Sequence, residues 1–96
     1  MVTFLVEVYE PRGCDPVSLS ELEARTRAAA NQVSRSGGTV QCLRAILVPE
    51  DETCFYVFEA SSRDSVLEAA RRAGLSNARV TETIESPAHG SCGRGR

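Results

Sequence analysis

Two apolar runs, residues 39–48 and 53–60, stand four residues apart, and the spacer is the turn-forming stretch Pro49-Glu50-Asp51-Glu52. Segments of this length, rich in β-branched, aliphatic and aromatic residues and joined so closely, pair as an antiparallel hairpin. A four-residue loop places Val48 opposite Thr53, then Ile46 opposite Phe55, Arg44 opposite Val57 and Cys42 opposite Glu59. These eight side chains share one face. The other face carries Leu43, Ala45 and Leu47 against Cys54, Tyr56 and Phe58, a more uniformly apolar set and the natural floor for helices.

The hairpin is flanked on both sides by a strand pattern and a helix pattern. Residues 3–10 alternate, with Phe4, Val6 and Val8 on one side and Thr3, Leu5, Glu7 and Tyr9 on the other, as a half-buried strand requires. Pro11, Gly13 and Pro16 end it. A helix is expected to start at Ser18 or Ser20, each followed three residues later by a glutamate, Glu21 or Glu23, in the reciprocal capping pattern. Leu19, Leu22, Thr26, Ala29, Ala30 and Val33 then recur at helical spacing until Gly37-Gly38. After the hairpin, Ser61 or Ser62 caps a second helix bearing Val66, Ala69, Ala70 and Ala73 on one stripe, with Gly74 as terminator. Residues 78–85 read as a more polar edge strand. The order strand, helix, strand, strand, helix, strand predicts an α+β, ferredoxin-like βαββαβ fold, with a four-stranded antiparallel sheet and both helices on one face.

With 96 residues, the chain is expected to form one domain over 1–85 and a flexible tail over 86–96, where SPAHGSCGRGR offers little to bury. All eleven cations are arginine and are scattered among thirteen acids, for a net charge of −2. No basic stripe with interleaved aromatics emerges, so nucleic acid is not an expected partner. No apolar run approaches the length of a membrane span, and no signal-peptide pattern opens the chain, so membrane association is not expected and a cytoplasmic location is. Cys14, Cys42, Cys54 and Cys92 contain no C-x-x-C pair and are expected to be reduced.

With both helices on one side, the other side of the sheet would present Leu5, Cys42, Ile46, Val48, Phe55 and Val57. That is more apolar surface than a soluble monomer normally leaves in water. The expected cover is a second copy, packing sheet against sheet as a dimeric α+β barrel and enclosing an apolar cavity. Three ions interrupt these strands on this same face, Glu7, Arg44 and Glu59, and Tyr9 joins them from the first strand. They can act as a buried ion network that fixes sheet or dimer geometry. Alternatively they form a site in which Arg44 orients an anionic or carbonyl oxygen, a glutamate serves as general acid or base, and Tyr9 donates to a developing oxyanion.

The stretches FLVEVYEPRG, LRAILVPEDETCFYVFEASS and EAARRAGLSNARVTE resemble the signature blocks of a bacterial family of small α+β proteins of otherwise unknown function, whose described relatives are nickel-binding or nickel-responsive. Val6-Glu7, Glu59-Ala60 and Ala73-Gly74-Leu75 carry most of the likeness, which covers about residues 3–85. The resemblance implies a ferredoxin-like, dimeric α+β barrel and nickel as a possible metal. The residues themselves predict no cofactor. The single histidine, His89, lies in the tail with Cys92, and imidazole is the usual nitrogen ligand for nickel.

Elsewhere the residues read simply. Cys14 adjoins Asp15, which opposes thiolate formation. Arg71-Arg72 reads as a solvated pair. No glycine-rich phosphate loop, nucleotide fingerprint or serine-triad motif occurs. Two functions are expected in competition. One is a small dimeric protein binding a small ligand, a metal among the candidates, in the intersheet cavity. The other is a cofactor-free enzyme, a monooxygenase, cyclase or isomerase, acting on an aromatic or polyketide-like substrate by acid/base chemistry.

Overall fold

The computed structural model describes residues 1–10, 15–75 and 77–84. The expectations for Cys14, for the tail over 86–96 and for His89 and Cys92 lie outside them. The elements run β1 (Val2–Tyr9), α1 (Pro16–Arg35), β2 (Val40–Val48), a single 3-10 turn (Pro49–Asp51), β3 (Thr53–Ala60), α2 (Arg63–Arg72) and β4 (Arg79–Glu82). The sheet order is β2-β3-β1-β4 with every neighbouring pair antiparallel. This is the ferredoxin-like βαββαβ arrangement predicted from the pattern.

One side of the sheet makes the core. Phe4, Val6 and Val8 of β1, Val40 and Cys42 of β2, and Cys54, Tyr56, Phe58 and Ala60 of β3 are buried there, with Ala30 and Val33 of α1 and Val66 and Ala69 of α2 in the same cluster. Tyr56 is fully buried. Its hydroxyl lies against the side chains of Thr26 and Cys54, and Thr26 Oγ1 donates to the Leu22 carbonyl at 2.8 Å. This pairing lets a polar ring tip sit under α1, since buried polar atoms require partners.

The start of α1 differs from expectation. Asp15 is the N-cap, accepting from the Ser18 amide at 2.8 Å, and Pro16 opens the helix. Proline suits that place because its fixed φ is helical and the amide it lacks would be unpaired anyway. Ser18 and Ser20 therefore lie inside the first turns. Both helices end alike. Gly37, at φ 111°, and Gly74, at φ 78°, turn left-handed. Beyond them, Gly38 N donates to Val33 O and Leu75 N to Ala70 O, the paired closure that satisfies late carbonyls. Ser62 caps α2 by accepting from the Ser65 amide.

The hairpin holds the main correction. Val48–Thr53, Ile46–Phe55 and Arg44–Val57 pair as predicted, but a β-bulge intervenes between Cys42 and Arg44. Leu43 is the extra residue, so Cys42 faces Phe58 and Gln41 faces Glu59. Cys42 is consequently buried at 4% exposure among core residues and does not belong to the open face. Arg27 of α1 holds the bulge, donating from Nε to the Cys42 carbonyl (3.3 Å) and from Nη2 to the Leu43 carbonyl (2.7 Å). β4 is also shorter than the predicted 78–85, ending as a strand at Glu82.

Candidate functional site

The uncovered face consists of four cross-strand rows. Gln41, Glu59 and Thr3 form one end, followed by Arg44, Val57, Leu5 and Thr81, then Ile46, Phe55, Glu7 and Arg79, and finally Val48, Thr53 and Tyr9. Strand alternation puts these side chains opposite the helices. Successive rows are about 7 Å apart, two residues of strand rise. Leu5, Phe55, Val57 and Val48 are half-buried. Their shelter comes from lateral neighbours, and Ile46 is 44% exposed. The middle two rows thus form an apolar floor crossed by charge.

Glu7, Arg44, Glu59 and Tyr9 all lie on this face, as alternation predicted, but they do not converge on one point. Glu59 is level with Thr3, and Glu7 is four residues further along β1, about 13 Å away. Glu7 has its own counter-ion, Arg79 of β4, at 3.7 Å. Arg79 is absent from the candidates that the sequence offers, although the alternation Arg79-Val80-Thr81 on an edge strand carries the signal. Tyr9 is 66% exposed and donates from its hydroxyl to Glu52 Oε1 at 3.3 Å, which ties it to the turn after β2. Arg44 and Glu59 are diagonal neighbours on adjacent strands. Among the described residues, neither has an ion-pair or hydrogen-bond partner for its side chain.

A concavity of about 290 Å³ is lined by Arg27, Asn31, Gln41, Cys42 and Leu43 beside the bulge. The Arg27 guanidinium there is already engaged by two carbonyls and by Glu23 Oε2 at 2.8 Å. Burial pushes the Cys42 thiol up to about 11, so at neutral pH it is a protonated core group and not a nucleophile. Burial likewise pushes the Tyr56 phenol well above its ordinary value. Among the described residues no three His, Cys, Asp or Glu side chains come together to hold a metal ion. Nor is any helix among them long and apolar enough to cross a membrane.

No protein-family profile matches the chain, and no curated protein does. The fold is similar to that in the "Crystal structure analysis of SCO4226 from Streptomyces coelicolor A3(2)", with a TM-score of 0.73 and 20% identity. The match covers 88% of this chain and 98% of that one. At this identity the likeness establishes the architecture alone.

Proposed function

We propose that the protein works as a two-fold dimer, joined through the open sheet face, that binds a small ligand in the chamber between the two sheets. The observation that carries this reading is the composition of the face. Leu5, Ile46, Val48, Phe55 and Val57 make a continuous apolar floor, yet Arg44 and Glu59 stand on it without counter-ions among the described residues. An apolar cavity with a few placed polar groups is the usual form of a small-molecule site. An organic ligand suits this face better than nickel, because its charged and phenolic groups among the described residues are Glu7, Glu59, Arg44, Arg79 and Tyr9, without the imidazole or thiolate that would select nickel.

Sedimentation equilibrium tests the assembly. The wild-type chain should sediment at twice its 10.4 kDa, and Val57→Asp should halve that mass while leaving far-UV circular dichroism unchanged. A wild-type monomer at micromolar concentration would refute the reading. Binding is read by displacement of an environment-sensitive apolar dye from the dimer. The catalytic alternative uses Glu7 and Tyr9, which are neighbours on one face of β1, and it would require turnover abolished by Glu7→Gln in a dimer that still binds.

A further inference from the structure

The charges on the open face are balanced, two acids and two arginines, and they are not equally provided for. Glu7 and Arg79 meet within the chain at 3.7 Å. Arg44 and Glu59 do not meet, although they occupy adjacent rows on adjacent strands. On an exposed face this costs nothing, since water solvates both. Once the face is covered, each needs a counter-ion, because burying a lone charge is costly. The face spans four strands and up to eight residues of β1. Its planar footprint is about 500 Å², against the roughly 800 Å² of accessible surface per partner in a standard interface. The end that carries Arg44 and Glu59 is therefore too large a share of the face to be left out.

We infer that Arg44 of one subunit pairs with Glu59 of its twin, and Glu59 with the twin's Arg44, so that two symmetric ion pairs close one end of the chamber. This rests on the dimer reading and adds its register. A two-fold axis lying between the sheets makes an isologous contact, in which residue i meets j and j meets i. When that axis is the perpendicular bisector of the line from Arg44 to Glu59, each side chain stands over the other's copy. The same axis then runs across the row of Val57 and Leu5, so these two side chains lie against their own copies. The bulge at Leu43 puts Gln41, instead of Cys42, beside Glu59 and gives that end of the face a polar margin.

Charge reversal in trans tests the inference. Arg44→Glu and Glu59→Arg chains each place like charges together in their own homodimer, so each should dimerise at least about tenfold more weakly than wild type. Mixed in equal amounts, the two chains should form a heterodimer of near wild-type affinity, because both pairs are then complementary. Native mass spectrometry resolves the two chains and their heterodimer, and circular dichroism verifies the fold of each. Both substitutions fall on the open face and leave the core intact. Failure of the mixture to recover, while the Arg44→Glu/Glu59→Arg double variant dimerises, would place the pair within one chain and overturn the inference. Singles that associate as tightly as wild type would overturn it too. A monomeric wild-type chain would remove the dimer itself, and that outcome is read separately in the unsubstituted protein.

Discussion

Cys42 and Tyr56 make the core sensitive to alkali. The thiol ionises near its ordinary 9.0 in the unfolded chain but near 11 when buried, so between those values the unfolded state holds fewer protons than the folded one. Stability is complete below pH 9 and falls as pH rises through about 11, by roughly 1–3 kcal/mol from this group. The Tyr56 phenol, also shifted upward by burial, adds to the loss. Urea unfolding at a series of pH values should show this decline, and Cys42→Ala should flatten its lower part. Tyr56→Phe removes a hydroxyl that lies against Thr26 and Cys54 and should cost about 1 kcal/mol at neutral pH. A tighter constraint operates at Gly38, where a Cβ would come within 2.9 Å of Ser65 Oγ and 3.0 Å of Val33 Cγ1. Gly38→Ala should destabilise by about 1–3 kcal/mol through overpacking, measurable as a lower urea midpoint.

Strand faces were legible wherever alternation ran unbroken. It correctly placed Glu7, Glu59 and Arg44, and the hairpin register from Arg44 onward. It failed at Cys42 because the bulge is stabilised from a distance, by Arg27 fifteen residues earlier, and local pattern does not report such a contact. The adjacent pair Cys42-Leu43, two apolar residues in succession in an alternating strand, was the trace left in the sequence. Asp15 was overlooked for a different reason. Pro16 signals a strand end as readily as a helix start, since proline after a side-chain acceptor is also how helices begin. The polar site itself was less legible, since Arg79 reaches Glu7 only through the β1–β4 pairing. The bulge has a direct experimental signature. In the Val57→Asp monomer, in a background lacking the native cysteines, single cysteines along β2 should be labelled rapidly at 41, 44 and 46 and slowly at 40, 42 and 45, with the parity changing at Leu43. Arg27→Met should raise amide exchange around that residue without altering the helices.

At the scale of the whole molecule, the layers are unequal. One side of the sheet is covered by α1 and α2, and the other is left to a partner under the dimer reading. Dilution should then expose the open face, so dye fluorescence per chain should rise as concentration falls below the dimer dissociation constant. The Val57→Asp monomer should show no such dependence. The strand order carries a further consequence. β1 lies between β3 and β4, and Thr83 donates to the Thr3 carbonyl through both its amide and its hydroxyl. During synthesis β1, which emerges before the other three strands of this sheet, therefore waits with both edges bare. One edge is occupied when the hairpin emerges, and the other only when the final strand arrives, so a nascent chain halted before residue 79 would hold a three-stranded intermediate whose central position has become a sticky border.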